Sequence, residues 1–295
     1  MRGKEIIKQN DLVYALRATS KDANASDEFK SSLLNKLNLE LNSKGAVKVN
    51  ELEISLEGFK KVKYYKAGNS EEVLLFIHGI GTIDKLYTKF INYFSKKYTV
   101  IAPALPGYGT SLEDWFKTNN YSKALDSYAL FVEKFVKSLN LDKPITLVGH
   151  SFGGAVAIRY AKKNENQKLI KKLVLADTEK IPVDMSLKSF IYGSFKAQLS
   201  YLRRLKVKNI SILNFFIKNI RNLVDTYKIA FNINLEKEIE GLRSDTKFYL
   251  NDENEITPLK KIKEVKDIIK NVSVSVVNYP EESWFYDSPE KIKLS

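Results

Sequence analysis

The residues with the clearest chemical potential lie in the segment Gly149-His150-Ser151-Phe152-Gly153. The segment follows an apolar run, PITLVG at 144–149, and precedes an alanine-containing helical pattern that begins near Phe152. A serine on a tight strand-to-helix turn lies at the positive end of the helix dipole, which favours a developing oxyanion. The sequence therefore predicts that Ser151 is a nucleophile. The alternative interpretation is a glycine-rich turn with a solvent-facing serine.

A second glycine-rich segment, HGIGT at 78–82, directly follows the apolar run EVLLFI at 72–77. Such a loop lets the backbone approach a substrate carbonyl, so the amide of Ile80 and the amide of Phe152 are predicted to form an oxyanion hole. His78 begins this loop. We interpret His78 as a residue that orients the loop rather than one that transfers protons.

The base that Ser151 would need is not evident. The whole chain contains two histidines, His78 and His150. His150 precedes Ser151 on the same turn, so its side chain is expected to point away from the serine hydroxyl. A lysine base is conceivable, as in Ser–Lys pairs, but no lysine stands in a recognisable motif. The sequence thus leaves open whether the chain is an active enzyme.

The elements that must position these residues alternate along the chain. An alternating segment at 47–68 predicts a two-stranded antiparallel entry. Short apolar, β-branched runs then alternate with helical stretches, which predicts a mostly parallel, doubly wound α/β sheet. The predicted strands lie at 72–77, 98–105, 144–149, 171–177, 246–251 and 272–279, and the predicted helices near 84–96, 122–139, from 152 and 257–270.

The alternation of strands and helices is interrupted once, and a separate segment precedes it. Residues 180–240 hold amphipathic helical segments but no convincing strand, which predicts a helical cap inserted after the sixth strand. Residues 1–46 predict an N-terminal helical extension, with Ser26 as a candidate cap and Gly45 at its end. The core domain is therefore predicted at 47–179 and 241–295.

Three motifs in this order resemble those of the α/β-hydrolase superfamily: HGIGT at 78–82, PALPGYGTS at 103–111 and GHSFGG at 149–154. They are similar to its oxyanion loop, its turn after strand four and its nucleophile elbow. The resemblance covers roughly residues 60–295. It implies a serine nucleophile, an acid after strand seven or sometimes six, and a histidine after the last strand.

The resemblance fails at two members of this triad. Asn254 stands at the acid position, and Ser283 stands at the histidine position, where NYPEESWFYDSPEKI otherwise keeps the pattern of the family. Asp252, two residues from the acid position, and Asp177, at the end of the sixth strand, are alternative acids. We therefore expect weak or non-standard ester or amide hydrolysis. The alternative is a catalytically impaired pseudo-hydrolase that binds an apolar carboxylate or ester ligand, or a protein partner.

The predicted cap is basic and aromatic. Residues 181–233 contain nine basic and two acidic residues, interleaved with phenylalanine and tyrosine. This composition suits an apolar acyl chain, an anionic headgroup, or peripheral contact with an anionic membrane. It equally fits a cap whose apolar face covers the core while its lysines are solvated. The expected ligand is a small, apolar ester, amide or carboxylate.

The composition of the chain argues against several other classes of function. The chain of 295 residues has no cysteine, which excludes disulfides and thiol catalysis. Its net charge of +13 comes with no nucleic-acid-reading motif, so nucleic-acid binding is not expected. We expect no cofactor and no metal. The first residues show no apolar core of a secretory signal, so a cytoplasmic location is the default expectation.

Overall fold

The fold was analysed in a computed structural model of the chain. The structure describes residues 48–80, 87–110, 120–163, 168–178, 222–232, 245–251, 272–279 and 284–294, with the single residues 186, 192, 239 and 242. The predicted N-terminal extension, the helix at 257–270 and most of the predicted cap lie outside the described residues.

Eight strands form one sheet in the order β1-β2-β4-β3-β5-β6-β7-β8. β1 pairs antiparallel with β2 and β2 with β4, while the remaining pairs are parallel. The strands are β1 (Asn50–Leu56), β2 (Phe59–Ala67), β3 (Val73–Ile77), β4 (Thr99–Pro103), β5 (Ile145–His150), β6 (Ile170–Ala176), β7 (Asp245–Asn251) and β8 (Val272–Val277).

Four helices are bounded within the described residues: α1 (Thr88–Phe94), α2 (Tyr121–Ser138), α3 (Phe152–Ala161) and the short α4 (Trp284–Asp287). A 3₁₀ turn, Pro289–Lys291, follows α4. Helix α2 packs on α3, and α1 packs on α4. Residues 222–232, in the second half of the predicted cap, are also helical. None of the helices in the described ranges is long and apolar enough to cross a membrane.

The central strands explain why the sheet could be predicted. β4 and β5 are buried along their whole length, so they carry continuous apolar runs instead of an alternating pattern. The predicted α/β-hydrolase fold class, with its mostly parallel sheet, is confirmed. The observed strands agree with the predicted ones to within one or two residues at most ends.

The sheet brings the candidate catalytic residues to the edge where β3, β5 and β6 have their carboxyl ends. Ile77 is in register with Gly149, and His150 is in register with Ala176, so the carboxyl ends of β3, β5 and β6 coincide. The backbone amide of Ser151 donates to the carbonyl of Ala176 over 2.9 Å, just beyond these strands. Ligands of open α/β sheets bind at this edge.

The helical segment 222–232 is fixed to the turn after β4. The hydroxyl of Tyr108 donates to Thr226 Oγ1 over 2.9 Å, and the Asn222 side-chain amide donates to the carbonyl of Gly107 over 3.5 Å. Tyr108 and Thr226 are both buried. This part of the predicted cap therefore packs against the body of the domain.

Candidate active site at the nucleophile elbow

Ser151 occupies the turn between β5 and α3 in a strained backbone conformation. Its φ of 53° and ψ of −127° lie in a region that residues other than glycine rarely adopt. Such a conformation costs of order 1–3 kcal/mol and persists only where the surroundings enforce it. Ser151 is also the N-cap position of α3, without a capping bond from its own side chain, and is half-buried.

Close packing around the turn enforces this conformation. A Cβ at position 153 would lie 2.2 Å from the carbonyl oxygen of Ile77. A Cβ at position 154 would lie 1.9 Å from Thr178 Oγ1. Only glycine lets α3 start this close to the ends of β3 and β6. Gly153 and Gly154, which follow Ser151 on this turn, are therefore required by packing.

The loop that follows β3 runs directly beside the serine. A Cβ at Gly79 would lie 3.1 Å from Ser151 Cβ and 3.2 Å from the carbonyl oxygen of His150. Ile80, whose amide is the predicted oxyanion donor, is 3% exposed. The structure thus places Gly79, the residue before Ile80, against Ser151, the residue before Phe152.

His78 links this loop to the turn after β4 through its two ring nitrogens. Its Nδ1 lies 2.6 Å from the carbonyl oxygen of Gly79, and its Nε2 accepts from the backbone amide of Leu105 over 2.9 Å. Because Nε2 accepts, the proton is on Nδ1 and is donated to Gly79. Complete burial lowers the pKa of His78 from 6.5 to about 4. The ring is neutral near pH 7 and has a positioning role.

His150 is engaged on the other side of the loop. Its Nδ1 lies 3.0 Å from the hydroxyl oxygen of Tyr87, and its ring stacks on Phe285 with centroids 4.2 Å apart. Burial, with a smaller contribution from His78, lowers the pKa of His150 to about 3. In either tautomer the Nδ1 atom is occupied by Tyr87. Its ring is buried between Tyr87 and Phe285.

Asp177, an alternative acid from the sequence, sits at the end of β6 with both carboxylate oxygens in hydrogen bonds. One oxygen accepts from the backbone amide of Asn251 over 3.0 Å, and the other accepts from Trp284 Nε1 over 2.5 Å. Asp177 also has a positive φ of 42° and is buried. Its carboxylate thereby joins the ends of β6 and β7 to helix α4. An indole N–H only donates, so Trp284 cannot accept a proton from a serine.

The remaining site predictions lie outside the described residues: Asn254, Asp252 and Ser283. Sequence reasoning missed Tyr87, because no local pattern marks it and its partner His150 is 63 positions away. Within the described ranges, no group of three or more Asp, Glu or His side chains is placed to hold a metal ion.

The sheet order and the strained serine define a class of protein, the α/β-hydrolase fold. The sequence model of the family described as alpha/beta hydrolase fold matches residues 72–206. An Acinetobacter baumannii structure described as a candidate lipase superposes with a TM-score of 0.67 at 21% identity, over 92% of this chain and 94% of that one. The chain therefore has the α/β-hydrolase fold, and nearly half of it matches the sequence model of that family.

Curated relatives match shorter stretches. The chain is 29% identical over 106 residues to a phospholipase of Bacillus subtilis, which covers 36% of this chain and 40% of the relative. It is 30% identical over 103 residues to (E)-2-((N-methylformamido)methylene)succinate hydrolase of Acinetobacter baylyi, which covers 35% of this chain and 36% of the relative. The chain thus spans well under half the length of the curated relatives it matches.

Proposed function

We propose that this α/β-hydrolase binds a small ester, amide or carboxylate ligand at Ser151 and hydrolyses it weakly at most, because it has no histidine for a conventional triad. One observation carries the proposal. Ser151 keeps the strained conformation of a nucleophile, while both histidines of the chain are buried, His78 in hydrogen bonds to backbone and His150 in a hydrogen bond to the Tyr87 hydroxyl.

The backbone around Ser151 supports binding of a carbonyl group. The glycine loop passes beside Ser151, so the amide of Ile80 can face the same space as the amide of Phe152 at the first turn of α3. Two backbone donors and the positive end of a helix would stabilise a carboxylate or an oxyanion there. Neither feature needs a histidine that transfers a proton.

The missing base limits turnover. Removal of the histidine from a serine-hydrolase triad costs on the order of 10⁶ in kcat. A rate of roughly 10³–10⁴ over the uncatalysed reaction can persist from the oxyanion hole and binding alone. Asp177 does not replace the relay, since its carboxylate is held by Asn251 and Trp284. Ligand binding without turnover is the second candidate, and the same occupied histidines favour it.

The ligand class rests on similarity and composition. The relatives named above are a phospholipase and a hydrolase of a substituted succinate. The basic, aromatic segment 181–233 suits an apolar chain that carries an anionic group. We therefore propose an apolar ester or carboxylate, and peripheral contact with an anionic membrane for ligands that lie in one.

A fluorophosphonate probe tests the proposal. We expect slow labelling and slow p-nitrophenyl butyrate hydrolysis, both lost in Ser151→Ala and both retained in Ser127→Ala, a matched serine exchange on α2. Binding of butyrate or an alkyl boronic acid, measured by calorimetry, tests the pocket without turnover. Hydrolysis at the rate of an ordinary triad enzyme contradicts the impairment. Absence of labelling, turnover and binding contradicts the proposal altogether.

A double variant tests whether the acid and the histidine are the only missing parts of the catalytic triad. Asn254→Asp combined with Ser283→His restores the residue types that the family pattern has at those positions. If the serine seat is otherwise intact, the double variant hydrolyses p-nitrophenyl butyrate faster than wild type by at least tenfold. Each single variant should increase the hydrolysis rate by a smaller factor, because the acid and the base act as a unit.

A further inference from the structure

We infer that Tyr87 is a positioning residue for the oxyanion loop: its hydroxyl fixes the Gly79 amide and, with His78 on the carbonyl of the same residue, sets the direction of the Ile80 N–H. The inference rests on the proposed function of Ser151 and names a further residue of that site.

The hydroxyl of Tyr87 joins three elements through one oxygen. The backbone amide of Gly79 donates to this oxygen over 3.0 Å, and His150 Nδ1 lies 3.0 Å from it. Tyr87 itself is the N-cap residue of α1, where its carbonyl accepts from the amide of Ile91 over 2.9 Å. The end of β3, the end of β5 and the start of α1 are thus tied together beside Ser151.

The two contacts at Gly79 hold the two peptide planes on either side of its α-carbon. His78 holds the Gly79 carbonyl, and Tyr87 holds the Gly79 amide. Because a trans peptide is planar, a fixed Gly79 carbonyl also fixes the Ile80 N–H, which points the opposite way. A glycine has wide conformational freedom at the torsions between these two planes, so without both contacts the Gly79–Ile80 peptide would sample several orientations. Oxyanion donors act only when they are aimed at the developing charge.

The ring of Tyr87 cannot easily move away. It is fully buried, and its centroid lies 4.9 Å from that of Phe76 and 5.1 Å from that of Tyr286. His150, which contacts the hydroxyl, is in turn stacked on Phe285. The aromatic packing therefore sets the position of the phenolic oxygen, and that oxygen sets the loop.

The variant Tyr87→Phe keeps the ring and removes only the oxygen. The matched control is Tyr93→Phe, on the same helix with an exposed ring. Two readouts are used: the second-order rate constant for fluorophosphonate labelling of Ser151, and hydrogen exchange of the Gly79 amide relative to the amides of β5. A purely structural role would alter exchange throughout the sheet, whereas a positioning role alters Gly79 locally.

We expect Tyr87→Phe to slow labelling by about 10- to 100-fold and to deprotect Gly79 locally. Tyr93→Phe should change neither. Unchanged labelling, or unchanged protection of Gly79, overturns the inference. Rapid exchange of Gly79 in the wild-type protein overturns it without any variant. If wild type does not label at all, the weak hydrolysis proposed for Ser151 fails separately, and the Gly79 amide alone decides the role of Tyr87.

Discussion

The indole nitrogen of Trp284 donates a hydrogen bond to the carboxylate of Asp177 over 2.5 Å, and both residues are buried. Trp284 directly follows Ser283, which the resemblance of the sequence predicts to stand at the histidine position of the family. Asp177 follows β6, where some members of the family keep their acid. The carboxylate that sequence reasoning offered as an alternative acid therefore serves to anchor helix α4.

This bond should contribute measurably to stability. Hydrogen bonds to charged groups contribute about 1.5–3 kcal/mol, and loss of one partner leaves the other buried and unsatisfied. We expect Trp284→Phe and Asp177→Asn each to lower the free energy of unfolding by roughly 2 kcal/mol or more. Asparagine tolerates the positive φ at position 177, so the backbone is not the cause. Urea unfolding monitored by circular dichroism gives the values.

The double variant separates this bond from the loss of ring volume. If the two residues interact directly, Trp284→Phe combined with Asp177→Asn costs less than the sum of the single changes. Tyr93→Phe, an exposed ring, is the control and should cost nothing measurable. Strictly additive losses would contradict a direct stabilising contact.

Most of the sheet could be predicted because its signal is local. The buried run at Ile145–His150 and the turn at Ser151 are visible in a few consecutive residues. The partners of the site are not local. Asp177 and Trp284 are 107 positions apart, and which side chain reaches which carboxylate depends on the finished fold. The sequence could therefore place a serine on a turn but could not show that the nearby acid was already held.

The glycines after Ser151 should respond differently to alanine. Gly153→Ala brings a Cβ against the backbone oxygen of Ile77, which cannot move without distorting β3. Gly154→Ala brings it against the side chain of Thr178, which can be removed. Overpacking costs typically 1–3 kcal/mol and more where backbone must shift. We therefore expect Gly153→Ala to be the more destabilising in thermal unfolding.

Suppression provides the decisive comparison for these two sites. In a Thr178→Gly background the atoms that oppose a Cβ at position 154 are absent, so Gly154→Ala should cost clearly less than it does in wild type. Gly153→Ala should cost the same in both backgrounds, since its obstacle is the carbonyl of Ile77. Equal suppression of both substitutions would refute this assignment.

Stability should fall as the pH is lowered from 7 to 5. His78 and His150 have pKa values of about 4 and about 3 in the folded protein and near 6.5 when unfolded. The unfolded state thus binds protons first as pH falls below 6.5, and unfolding becomes easier down to the folded pKa values. Each histidine contributes a loss of roughly 2 kcal/mol between pH 7 and pH 5.

Urea unfolding at the two pH values measures this loss. Carboxylates whose pKa is lowered, such as Glu133, add to acid destabilisation only near and below their ordinary pKa of 4.5. The interval from pH 7 to pH 5 therefore isolates the histidines. His150→Phe should remove about half of the pH dependence, whatever its effect on overall stability. An unchanged slope in that variant would contradict a buried neutral His150.

At position 151, glycine is expected to give a more stable protein than alanine. Its φ of 53° with ψ of −127° is favourable for glycine and costs other residues of order 1–3 kcal/mol. Glycine adds chain entropy to the unfolded state, which offsets roughly 0.5–1 kcal/mol of that gain. Ser151→Gly is therefore expected to be more stable than Ser151→Ala by about 1 kcal/mol, because both lack the hydroxyl and only alanine keeps the strain. Denaturant unfolding of the two variants side by side checks the difference. A less stable Ser151→Gly would mean that the elbow holds no strain, and with it the structural argument for a nucleophile at this position would fail.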